Sequence, residues 1–126
     1  MVRKTYKFKD LIKAIVDYLS GYFNIEEIIL FGSQATGKTH RYSDIDLAVI
    51  SSDFEKKNID NLLKIFSKIS LEITPDVEIH PFTPKDIKEA RPSNFIGHIL
   101  STGKVVYRHR RWVDPYFSFE GQILLL

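Results

Sequence analysis

The chain has no cysteine, which excludes disulfides and thiolate metal sites and fits a cytoplasmic setting. No apolar run approaches the roughly 18 residues needed to cross a bilayer, and the N-terminus carries no secretion signal. The expected location is therefore the cytoplasm, without a membrane partner. Charge of one sign is also lacking: 18 basic residues face 16 acidic ones, a formal balance of +2. Arg108, Arg110 and Arg111 account for more than that balance, so residues 1–107 are close to neutral. A general nucleic-acid coat is not expected, although a local basic patch stays open.

What is present is material for a core. A chain of 126 residues with 44% hydrophobic and 27% charged residues suits one packed domain rather than a disordered segment. Phe8, Leu11, Ile12, Ile15, Val16 and Leu19 recur at helical spacing and predict an amphipathic helix ending near Gly21. Ile25 to Phe31 reads as a buried strand stopped by Gly32. Residues 32–43 read as a loop or a short turn of helix, and Asp44 to Ile50 alternates as a strand does. Phe54, Ile59, Leu62, Leu63, Phe66 and Ile69 predict a second helix over 54–70. Val77 to Phe82 reads as a third strand. Thr83-Pro84 opens a short helix to about Ala90, with threonine as N-cap and proline at the first helical position. A further helix is expected from Ser93 to Ser101, stopped by Gly103, then a strand at Val105 to Tyr107. Alternating helices and strands imply a layered α/β or α+β domain over residues 1–107. Residues 108–126 form a C-terminal tail. Its basic cluster leads into Trp112, Tyr116, Phe117, Phe119 and a terminal apolar run, an end that calls for something to cover it.

The chemistry is concentrated in Gly32-Ser33, ten intervening residues, and Asp44-Ile45-Asp46. Residues two apart on a strand share a face, so Asp44 and Asp46 project together. Adjacent carboxylates repel, and burying both without a cation costs several kcal/mol. Hard oxygen ligands suit Mg²⁺ or Mn²⁺, which also bind triphosphate oxygens. Gly32 permits close approach or an unusual dihedral, and the Ser33 backbone N–H and hydroxyl could meet a phosphate. A Gly-Ser pair alone is an ordinary turn, and Asp-x-Asp alone fits an exposed edge strand. Their conjunction between two strands is the specific signal.

Leu30-Phe31-Gly32-Ser33-Gln34-Ala35-Thr36-Gly37, followed by Ser43-Asp44-Ile45-Asp46-Leu47-Ala48-Val49, resembles the signature of the DNA polymerase β-like nucleotidyltransferase superfamily. Within it, the chain is most similar to the minimal nucleotidyltransferases of bacteria and archaea, over about residues 8–107. The resemblance implies a small mixed sheet flanked by helices. It also implies a third carboxylate on a neighbouring strand. Glu78 is preferred over Asp76 there, because Val77 and Ile79 flank it and it lies five residues before Thr83. Glutamate departs from the aspartate often found in the family. On this reading Asp44, Asp46 and Glu78 hold Mg²⁺ or Mn²⁺ and carry catalysis. Gly32, Ser33 and Lys38 bind the phosphates of a nucleoside triphosphate, with ATP the expected substrate. Lys38 and Arg41 are also read as solvated loop cations, and Tyr42 as a packing or base-stacking ring. His80 lies on the expected carboxylate face, and a capping or surface role is preferred for it.

Minimal relatives of this kind serve as antitoxins beside a small helical HEPN-domain toxin, by binding it or by transferring AMP to it. The resemblance therefore implies such a partner and a protein adenylyltransferase activity. Two alternatives stay open: a binding module without catalysis, and an adenylyltransferase acting on a small molecule such as an antibiotic. Self-association is also open.

Overall fold

A computed structural model describes residues 8–32, 45–108 and 111–112. Five strands form one mixed sheet: β1 (Glu27–Phe31), β2 (Ile45–Ile50), β3 (Val77–Phe82), β4 (Lys104–Arg108) and β5 (Arg111–Trp112), in the order β3-β2-β1-β4-β5. β2 and β3 are parallel, and the other neighbouring pairs are antiparallel. Four α-helices accompany the sheet among the described residues: α1 (Phe8–Ser20), α2 (Ile59–Glu72), α3 (Pro84–Lys88) and α4 (Phe95–Thr102). The layered α/β expectation is met, with a mixed sheet flanked by helices. None of these helices is long and apolar enough to cross a membrane.

The sheet is buried on both faces, and period-two alternation sorts its side chains between them. Ile28 and Leu30 of β1 and Leu47 and Val49 of β2 pack with α1 residues Leu11, Ile12, Ile15, Val16 and Leu19. Leu62, Phe66 and Ile69 of α2 complete that cluster. On the opposite face Ile29, Phe31, Ala48 and Ile50 pack with Ile96 and Ile99 of α4. Each large aliphatic side chain so buried contributes about 1.5–3 kcal/mol.

The helix expected over 54–70 is in fact two elements. Ser51 caps a 3₁₀ turn at Ser52–Glu55, and Asn58 starts α2 by accepting the Asp60 N–H at 2.7 Å. Asn and Ser side chains compete for backbone donors and so set helix starts. Phe54 therefore enters the core from the 3₁₀ turn, while Ile59 and Leu63 lie on the exposed side of α2. The helix expected from Ser93 starts at Phe95, with Asn94 as its cap, accepting the Gly97 N–H at 2.9 Å.

The last described strands extend the sheet beyond residue 107. Arg108 ends β4, and its Nε and Nη2 both donate to Glu27 Oε2, at 2.8 and 2.7 Å. β5 then pairs back on β4, with Tyr107 opposite Trp112.

Candidate active site

The site lies at the end of the sheet where β1 finishes and the parallel strands β2 and β3 begin. Phe31 is the register partner of Asp46, and Asp46 in turn pairs with Glu78. Parallel pairing of β2 with β3 thus sets two carboxylates side by side. β2 is an interior strand, so Asp46 is not on an exposed edge. β3 is an edge strand, and Glu78 differs from the inward ligand expected from its apolar neighbours: its side chain is 63% exposed. Val77 and Ile79 are buried or half-buried on the other face, which is where the local pattern came from.

Gly32 immediately follows β1 with φ of +79°. A β-carbon there would sit 2.6 Å from Asp46 Oδ2. The dihedral favours glycine, and any β-carbon there would push the Asp46 carboxylate aside. The expectation for Gly32 is close approach of a phosphate; the neighbour that the structure gives it is the Asp46 carboxylate.

His80 completes the cluster. Its Nε2 lies 3.2 Å from Asp46 Oδ1 and 3.7 Å from Glu78 Oε1. Ligand atoms of Asp46, Glu78 and His80 all fall within 4.8 Å of one another. The imidazole stands edge-on to Phe31, with centroids 5.0 Å apart, and to Phe95, at 6.0 Å. Side chains of Asp46 and His80 are each 24% exposed. The structure thus places His80, for which a surface or capping role is preferred, half-buried against Asp46. Alternation along β3 put it on the carboxylate face, but only the pairing with β2 brings it onto Asp46.

Two carboxylates this close favour a cation between them, and an oxygen, oxygen, nitrogen donor set suits a divalent metal ion. Asp76 precedes β3, its carbonyl accepting the Ile45 N–H at 2.7 Å and its own N–H donating to Thr74 Oγ1 at 3.1 Å. It is not among the three residues that converge. Ser33, Lys38, Arg41, Tyr42 and Asp44 lie outside the described residues.

Comparison with known proteins gives the geometry a context. The chain is similar to a Methanocaldococcus jannaschii protein provisionally named a protein adenylyltransferase, with 37% identity over 95 residues, or 72% of this chain. The match spans 64% of that relative's length. Among solved structures, the fold is similar to a provisionally assigned nucleotidyltransferase from Sulfolobus solfataricus. That match has a TM-score of 0.61 and 20% identity, covering 83% of this chain and 85% of the other. It is also similar to a toxin–antitoxin structure with AMP-PNP, at a TM-score of 0.53 and 22% identity, over 79% of this chain and 73% of the other. Residues 13–111 match the family model described as polymerase beta, nucleotidyltransferase, and the chain belongs to that nucleotidyltransferase family.

Proposed function

We propose that this chain is a metal-dependent nucleotidyltransferase that moves AMP from ATP onto a side chain of a partner protein, acting as the antitoxin to a HEPN-type toxin. The observation that carries this reading is the convergence of Asp46 and Glu78 beside Gly32, at the sheet end where the Gly-Ser motif leaves β1. The relative named as a protein adenylyltransferase supports a protein acceptor. The toxin–antitoxin structure with AMP-PNP shares the fold and supports a toxin partner and the nucleotide class, while the HEPN type rests on the sequence resemblance.

Asp46 and Glu78, joined by Asp44 on the strength of the sequence motif, would hold the cation. A divalent ion bound there would neutralise triphosphate charge and polarise the α-phosphorus. Gly32 lets the Asp46 carboxylate lie against the backbone at the end of β1, and Ser33 and Lys38 of the motif would engage the phosphates. Glu78, on the edge strand and largely exposed, is the carboxylate open to an incoming hydroxyl. In the reaction the acceptor oxygen bonds to the α-phosphorus, the bond to the bridging oxygen breaks, and pyrophosphate leaves. The acceptor proton passes to Glu78 or to water. Catalysis of this kind is chiefly positioning and charge neutralisation. A site at a sheet edge can admit a bulky acceptor such as a protein side chain.

The test is transfer from α-labelled ATP with Mg²⁺, with and without the product of the adjacent gene, comparing wild type with Asp46→Asn. Label on the partner, lost in the variant, is the expected result. A stable complex that forms equally well with the variant and never carries label would replace transfer with binding as the function. Label on a small-molecule acceptor alone would remove the antitoxin role.

A further inference from the structure

We infer that His80 is a metal ligand, a nitrogen donor that tilts the site toward first-row transition ions and away from Mg²⁺. This inference rests on the proposed metal-dependent reading of the same site.

The spacing is the first argument. Two ligands each about 2.1 Å from one ion lie about 3.0–3.5 Å apart. His80 Nε2 is 3.2 Å from one carboxylate oxygen and 3.7 Å from the other. The shorter contact is within hydrogen-bond range, but a hydrogen bond to Asp46 does not account for the second carboxylate facing the same nitrogen. The 3.2 Å contact matches an edge of a coordination polyhedron, and the 3.7 Å contact is slightly longer than one.

Orientation is the second argument. Phe31 and Phe95 meet the imidazole edge-on at 65° and 66°, and Phe82 packs against Phe95 with centroids 6.3 Å apart. Phe31 is itself buried in the cluster under α4. The ring is thus held by apolar neighbours while Nε2 faces the two carboxylates. Ligands fixed in this way lose little freedom on binding.

Donor chemistry gives the direction of the preference. Mg²⁺ selects oxygen donors and parts reluctantly with its waters, whereas imidazole suits transition ions. An oxygen-only site would treat the two classes more evenly.

The experiment uses the untagged, metal-free chain with His80→Phe, which keeps a ring among the aromatics, and His80→Gln, which keeps polarity. Melting of the metal-free proteins identifies any variant that fails to fold. Pulsed electron paramagnetic resonance of bound Mn²⁺ should show nitrogen coupling in the wild type that is absent in both variants. Calorimetric titration should show Co²⁺ affinity falling about tenfold or more, the scale of losses around metal ligands, while Mg²⁺ affinity changes far less. Mn²⁺ that binds without nitrogen coupling, or equal weakening of both metals, would overturn the role of His80 and leave the carboxylate site standing. Absence of metal binding in the wild type, or binding untouched by Asp46→Asn, would overturn the metal-dependent reading as well.

Discussion

Gly32 and Asp46 constrain each other at atomic range. The positive φ of Gly32 costs an L-residue about 1–2 kcal/mol, and the missing β-carbon is what leaves room for Asp46 Oδ2. Gly32→Ala is therefore expected to lower the melting temperature by several degrees and to weaken Mn²⁺ binding, since the new methyl displaces the carboxylate. Gly21→Ala is the control, because a β-carbon there meets only the Tyr18 carbonyl oxygen at 3.4 Å. Parallel thermal melts and metal titrations would decide the matter. Equal metal affinity in the Gly32 variant would detach the glycine from the site.

At the scale of elements, the site depends on the crossover that returns the chain from β2 to a parallel β3. Ser51 anchors its start. The side chain is fully buried, its hydroxyl donates to the Asn24 carbonyl at 2.8 Å, and its oxygen accepts the Asp53 N–H at 3.1 Å. Ser51→Ala leaves two backbone groups without these partners and should cost about 1–2 kcal/mol, measurable by denaturant unfolding. The crossover helix α2 is tied to α1 by Tyr18, whose hydroxyl donates to the Ile65 carbonyl at 2.7 Å. Burial, then the neighbouring Tyr22 and Glu72, push the Tyr18 pKa up to about 12. The folded value lies above the unfolded value near 10. Its contribution is thus fully present below about pH 10 and is lost as pH rises through 12. Stability should fall over that window, and Tyr18→Phe should flatten the fall. An unchanged alkaline profile in the variant would assign the loss to other groups.

For the whole molecule, the two faces of the sheet have different tasks. One carries the larger cluster beneath α1 and α2. The other carries a smaller cluster beneath α4, which contains Phe31 and so adjoins the site. Ile99 is fully buried at the centre of that smaller cluster. Ile99→Ala should cost about 2–5 kcal/mol, a large share of the roughly 5–15 kcal/mol that holds a typical domain together. Chemical denaturation would measure it, and a cost below 1 kcal/mol would show that the α4 face contributes little.

Much of this molecule was readable locally. The stripe Leu11, Ile12, Ile15, Val16 and Leu19 gave α1, because helical periodicity is written within one segment. Thr83 and Asp86 form a reciprocal capping box, at 3.2 and 2.8 Å, which opens α3 where Thr83-Pro84 announced it. Gly32 with Asp46 was legible as a motif for the same reason: its parts sit at a short, fixed spacing. The place of Glu78 on an edge strand and the approach of His80 to Asp46 were not legible. Both depend on β2 pairing in parallel with β3, which sets Asp46 opposite Glu78 and brings His80, 34 positions away in the chain, onto it. Alternation along a strand determines which side chains share a face. Which strand lies alongside, and in what register, is decided by burial of both sheet faces and completion of the backbone hydrogen bonds, and only the tertiary structure expresses that.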